Sequence, residues 1–580
     1  CTDYYMMFAN CDSLKSLDLK NFASNEVEDM SYMFKGCGNL AKIELGDKFD
    51  TSKVTDMSYM FQQCSSLTSI DLSILKTGNV EDMSYMFSGC RNLKTLNLKS
   101  FDTSSVTEMP YMFQMCSSLE TLDISGFNVE NVNSFKYMFV NTPNLKSIDL
   151  SSFNPISCTD FSSMFQSSAV ESINFKNFNT KSAVDMSNMF KSDEYLLSLD
   201  LSSFNTENVE NMDNMFQGLK KLTSINLSSF KVERVRSMKH TFEDCSSLTS
   251  LNLDHFKTLN LMDCGNMFQN CEKLEYISLN QFYTNEVTDI SAMFSKCKSL
   301  KSLNLQSFKT SSVTLFGSMF SECISLKSID LSNFDTTSGT GFFQMFYNCH
   351  SLESINLSQF KMEKATDISH MFYNCTKLET INLPQLNTKS LTRMESTFQG
   401  CSNLKEIRVS NFVMTYVTKI DNLFKGCSSL TSIDLSGWKT EKLNTMENLF
   451  SDCTSLKTIN WGESFDTSQV TGLPYVFQNC KSIESLDLSM LNTKMVKNFQ
   501  HMFDGCSNLK NLELKNFSTE EATDMRFMFK GCTSLTSVDL SNFNTQNCNY
   551  FNNMFQDITS ITVKVTENKA KNLIEVLNES

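Results

Sequence analysis

Seventeen of the 21 cysteines stand three residues after a phenylalanine, from Cys11 to Cys532. Thiols at a fixed offset can ligate a metal, pair as disulfides or serve as small buried hydrophobes. Metal binding calls for C-x2-C clusters or Cys/His sets, and the chain has none. Pairing between stacked neighbours is geometrically conceivable. Yet the same slot also holds Thr142, Ser168, Asp193, Leu219 and Ile558, with no matched change elsewhere. The thiols therefore read as buried apolar groups. Of the five histidines, His240, His370 and His501 share one slot, and His255 and His350 lie elsewhere. No Ser/His/Asp order, phosphate-cradling glycine loop or H-E-x-x-H motif occurs. The chain is expected to be no enzyme and to carry no cofactor and no metal.

Residues suited to binding are better represented. Tyr32, Tyr59, Tyr85, Tyr111 and Tyr137 fall two before the phenylalanine in five consecutive units. A row of rings offers apolar area with a polar tip, to a sugar or to a partner's apolar edge, or simply stacks ring on ring and covers the helix side of the repeat. Tyr276, Glu406 and Arg408 depart from an otherwise small polar row, and Tyr and Arg are favoured at binding hot spots. Asp3, Asp29, Asp56, Asp82 and Glu108 form an acidic row, which suits the start of a helical turn. A calcium ladder there lacks the dense ligand motifs of calcium-binding repeats.

These residues are placed by a repeat. The phenylalanines from Phe8 to Phe555 recur every 26 residues, with steps of 27 at Phe34–Phe61 and Phe450–Phe477 and of 25 at Phe165–Phe190. The long steps carry the extra loops Gly46-Asp47-Lys48 and Gly462-Glu463-Ser464. One unit reads V-x-x-M-x-x-M-F-x-x-C-x-x-L-x-x-I-x-L-x-x-F-x-T, cleanly from Val80 to Thr103. Its L-x-x-I-x-L part alternates, as in Leu67 to Leu72, and predicts a short strand with Ile70 and Leu72 inward. The V-x-x-M-x-x-M-F part has apolar residues three and four apart and predicts a short helix or 3₁₀ turn. Pro110 and Pro474 share a slot there that suits a first turn, capped by residues such as Thr55-Asp56.

One unit buries too little to order its own backbone, so the units must stack. The expectation is an α/β solenoid of about 22 strand–turn–short helix units, with a parallel sheet on its concave face, over residues 1–560. Residues 561–580 read as a C-terminal cap with a short amphipathic helix over 567–578 bearing Leu573, Ile574 and Leu577 on one face. Cys1-Thr2-Asp3 aligns with Val54-Thr55-Asp56, so the chain is expected to start inside a repeat. Units 142–236, which lack the cysteine ladder, are expected to differ locally in curvature.

The formal net charge of −15 argues against nucleic acid and against an anionic membrane surface as partners. No apolar run approaches the ~18–20 residues of a transmembrane helix.

The copies Val54-Thr-Asp-Met-Ser-Tyr-Met-Phe-Gln-Gln-Cys-Ser-Ser-Leu-Thr-Ser-Ile-Asp-Leu-Ser and Cys532-Thr-Ser-Leu-Thr-Ser-Val-Asp-Leu-Ser-Asn-Phe-Asn-Thr resemble the BspA-like leucine-rich repeats of microbial surface proteins. The resemblance covers nearly all of residues 1–560. It implies a cell-surface or secreted protein used in adhesion, with a protein or glycan ligand, and it carries no catalytic residues over. The rival expectation is a structural scaffold without an adhesive role.

Overall fold

The alternating segment of each repeat forms a short strand that lies parallel and in register with the strand one repeat on. In the computed structural model, which describes residues 2–383 and 388–566, Ser16–Leu19 pairs with Lys42–Leu45 and Thr95–Asn97 with Thr121–Asp123. The same pairing joins Ser354–Asn356 to Thr380–Asn382 and Ser537–Asp539 to Thr562–Lys564. Inward residues such as Leu96 and Ile355 are buried, and the flanking Ser, Thr, Asp and Asn are exposed. The protein is thus a parallel β-solenoid. It comprises two compact units, Cys1–Glu286 and Val287–Ser580, each built from the same coil.

Short helices, expected in every repeat, are absent among the described residues. The segment Met30–Cys37 shows why. The amides of Met30, Tyr32, Phe34 and Gly36 donate to the carbonyls of Asp56, Ser58, Met60 and Gln62 in the next coil, while those of Met33, Lys35 and Cys37 reach only three residues back. Tyr32 and Gly36 have φ of 59° and 74°. A left-handed residue every fourth position cannot belong to a right-handed helix. The segment is a second ladder made of linked turns. Turns of this size put Val27, Met30, Met33, Phe34 and Cys37 on one fully buried face, reproducing the three-and-four spacing of an amphipathic helix.

Aspartate does cap these turns, though not a helix. Asp29 and Asp56 accept the amides of Ser31 and Ser58 through Oδ1, both at 2.7 Å. That amide takes no part in the ladder, which is why proline is tolerated at its slot. Where Pro110 and Pro474 occupy it, Glu108 and Gly472 replace the aspartate.

The core is a set of ladders running along each stack. Phe87 and Phe113 lie 5.9 Å apart with planes 5° off parallel. Cys64, Cys90 and Cys116 are free thiols. Cys64, Cys90 and Cys116 each donate from Sγ to the carbonyl of Phe34, Phe61 and Phe87 in the coil before. Burial raises the pKa of these thiols, which keeps them as neutral donors.

The irregular steps leave the strands in register. At the 25-residue step, Ser147 still pairs with Ser172 and Asp149 with Asn174. The shortened turn places both Ser167 and Ala169 at positive φ. At the first long step, Gly46 lies so near the coil before it that a Cβ would sit 2.6 Å from Lys20 Cα. The strand Thr562–Lys564 continues the stack beyond the last phenylalanine. The expected helix within 567–578 lies outside the described residues.

Candidate functional site: an aromatic ridge beside acidic rows

The residue two before the phenylalanine is left-handed in coil after coil, with φ of 54–59° at Asn188, Asn214, Asn266, Asn422, Asn448 and Asn553. Asparagine is the inexpensive choice there, because its short amide tolerates this backbone. Five consecutive coils hold tyrosine instead: Tyr32, Tyr59, Tyr85, Tyr111 and Tyr137, at φ of 55–59°. Their rings form a continuous face-to-face stack. Successive centroids are 4.4, 4.5, 4.2 and 4.8 Å apart, with planes within 15° of parallel. Tyr5 closes one end edge-on, 5.5 Å from Tyr32.

Each ring is half-buried by its neighbours. The ridge therefore presents edges and phenol tips, and the faces that would stack on a sugar are covered. Burial, followed by the neighbouring phenols, raises the pKa of Tyr59 and Tyr85, so the hydroxyls stay protonated donors. The Lys35 ammonium lies astride the first pair, 4.7 Å from the Tyr32 centroid and 5.0 Å from that of Tyr59.

The acidic row runs alongside. Asp3, Asp29, Asp56, Asp82 and Glu108 are bridged in parallel, one per coil. Oδ1 of Asp29, Asp56 and Asp82 is committed to the amide two residues on. Burial, with Asp82 and Asp29 on either side, pushes the Asp56 carboxyl above the ordinary range. Among the described residues, no group of His, Cys, Asp and Glu is arranged to hold a metal ion.

The other expected residues lie apart from the ridge. Tyr276 opens the strand Tyr276–Ser278 and is 56% exposed on the strand face. Glu406 and Arg408 flank buried Ile407 in the second unit, exposed, on a segment outside any named strand. The strand face of the first unit carries a shallow trough of about 760 Å³ between rows that include Ser69, Asp71, Thr95, Asn97, Thr121 and Asp123. The acids of that row spend an oxygen on their own turn, as Asp71 does with the amide of Ser73.

A second aromatic stack went unread in the sequence. Tyr475, His501 and Phe527 occupy the tyrosine slot of three consecutive coils, with both centroid spacings 4.7 Å. His501 Nδ1 also meets Asp504 Oδ2 at 2.8 Å. Following the slot to its last coils, with histidine and phenylalanine counted as rings, is the signal that finds it.

The family model described as "Mycoplasma protein of unknown function, DUF285" matches residues 2–96, 89–198, 159–276, 184–303, 262–383, 366–485 and 471–578. No curated protein matches the chain in sequence. Similar solved structures include a leucine-rich repeat protein from Bacteroides ovatus, at 19% identity over 75% of this chain and 88% of that one, TM-score 0.39. Another, from Eubacterium ventriosum, has 16% identity over 63% and 84%, TM-score 0.31. A leucine rich cell surface protein from Faecalibacterium prausnitzii has 16% identity over 70% and 82%, TM-score 0.25. Among the described residues, no helix is long and apolar enough to cross a membrane.

Proposed function

The chain belongs to the DUF285 family, its units are BspA-like leucine-rich repeats, and we propose that it is a non-enzymatic binding scaffold of the cell surface or exterior that recognises a partner protein through the Tyr32–Tyr137 ridge. The observation that carries this reading is the run of five tyrosines in left-handed backbone. The coil does not need rings there, since asparagine, serine, alanine and glutamine fill the slot in other coils. A side chain held against its backbone preference in five successive coils is retained for what its exposed edge does. A purely structural scaffold, the rival reading, accounts for the stacking of the rings but gives no role to the edges and phenol tips they leave open.

A protein partner suits the ridge better than a glycan. A sugar binds aromatic residues through their faces, and here each inner ring has both faces covered. Edges and phenol tips suit apolar side chains and backbone carbonyls.

The test compares the intact chain with a Tyr59→Asn, Tyr85→Asn, Tyr111→Asn variant, which keeps the backbone preference and removes the rings. Chemical crosslinking to intact cells, read by mass spectrometry, is expected to place partner crosslinks beside the ridge in the wild type. The variant is expected to lose them by about tenfold in recovered partner, about 1.4 kcal/mol of binding. Identical partners with identical recovery would remove the ridge from consideration.

A further inference from the structure

The rows six and five residues before the phenylalanine border the ridge. From Thr2 to Glu108 they contain Asp3, Glu28, Asp29, Asp56, Glu81, Asp82 and Glu108, and not one basic residue. Some other acids of the same unit are ion-paired: Lys20, one coil before, and Lys42, in the same strand, both meet Glu44, Lys53 meets Glu26, and Lys76 meets Asp50. Among the described residues, Glu28, Asp29, Asp56, Glu81, Asp82 and Glu108 have no ion-pair partner. Glu28 and Glu81 are exposed, and the others half-exposed. These rows and the ridge share one electrostatic environment, since Asp82 helps raise the pKa of the Tyr59 phenol. Lys35 already rests on the ridge, so its rings accept an ammonium group.

Resting on the reading of the ridge as a protein-binding surface, we infer that ridge and acid rows form one docking strip for an extended, lysine- and arginine-rich segment of the partner. The strip offers six carboxylates outside any ion pair and, three residues along the same coils from the aspartates, a wall of ring edges. Long cationic side chains match both, with the charged head on the carboxylates and the alkyl stem along the rings. At one coil per ~4.8 Å, the strip is about 20 Å long, enough for about six extended residues. An acidic or neutral segment would leave the field uncompensated.

The experiment uses the intact chain and a fluorescent peptide of alternating lysine and serine, with a glutamate–serine peptide as comparison. The strip variant carries Glu28→Gln, Asp29→Asn, Asp56→Asn, Glu81→Gln and Asp82→Asn. Asparagine keeps the turn, as Asn211 does by accepting the Asp213 amide in the same slot. A control variant removes equal charge from the strand side: Asp71→Asn, Glu120→Gln, Asp123→Asn, Asp149→Asn and Asp200→Asn. The lysine peptide is expected to bind the wild type at low salt and to weaken as salt rises. The strip variant should bind it at least about tenfold more weakly, and the control within about twofold of wild type. Equal weakening in both variants would show general attraction to an acidic protein and overturn the inference. So would unchanged binding by the strip variant, equal binding of the glutamate peptide, or no binding of the lysine peptide. If the peptide fails while cell-surface partners still depend on the tyrosines, this inference falls and the ridge reading stands.

Discussion

Thr103 and Asn128, one coil apart, are locked by a reciprocal pair of hydrogen bonds: the Thr103 hydroxyl donates to the Asn128 carbonyl at 2.7 Å, and the Asn128 amide donates back to Oγ1 at 2.8 Å. The hydroxyl replaces a missing rung of backbone pairing at the corner where the chain turns from one ladder to the other. The arrangement recurs at Thr51, Thr206, Thr336 and Thr493, all buried.

Replacing Thr103 by valine keeps the shape and strands both groups of Asn128. Leaving a part-buried donor and acceptor unpaired should cost about 1–2 kcal/mol, whereas Thr103→Ser should cost under about 1 kcal/mol. Urea unfolding of the two variants checks this. Equal midpoints would mean that water reaches the corner and that the threonine matters only as a filler.

Asp193 stands where most coils have cysteine, fully buried. Ser168 donates to its Oδ2 at 2.8 Å, and Oδ1 lacks a partner. Burial, partly opposed by the serine, raises its pKa from 3.8 to about 7. The folded chain therefore holds this proton over a pH range in which the unfolded chain has lost it. The associated stability is fully present below about pH 4 and is lost as pH rises through about 7, an effect of at most about 4 kcal/mol. Asp193→Asn should thus gain on wild type between pH 5 and pH 8 and be the more stable of the two at pH 8. Parallel curves of unfolding midpoint against pH would show that the carboxyl is ionised in the fold.

The ridge slot accepts rings and amides but no β-branched residue in any coil: its occupants at positive φ are Met, Tyr, Ser, Asn, His, Ala, Gln and Phe. Tyr85→Asn should change stability by under about 1 kcal/mol, because a lost ring stack is offset by better backbone preference. Tyr85→Val should cost about 2 kcal/mol, since branching at Cβ clashes in the left-handed conformation. Guanidinium midpoints distinguish the two. If valine is as mild as asparagine, the backbone there is not left-handed in solution.

The repeat was legible in the residues alone, because every coil must put an apolar side chain at the same place on its neighbour. Val27, Met30, Phe34, Cys37 and Leu40 are each fully buried, as their recurrence every 26 or 27 residues demands. The strand was legible for the same reason, and the tyrosine run was visible as a run. Invisible was the backbone between those side chains. Helices and these linked turns place Met30, Met33 and Phe34 alike on one face, and apolar spacing reports the face, not the path.

What the sequence determined, then, was the period, the slot of each residue and the order of the ladders, all of which follow from side-chain burial. The tertiary structure alone decided that Tyr32 is left-handed, that its amide bonds to Ser58 in the next coil, and that five rings close into a stack. Those hydrogen bonds join residues a full repeat apart. Their partners are chosen when coils meet, so no local pattern of residues encodes them.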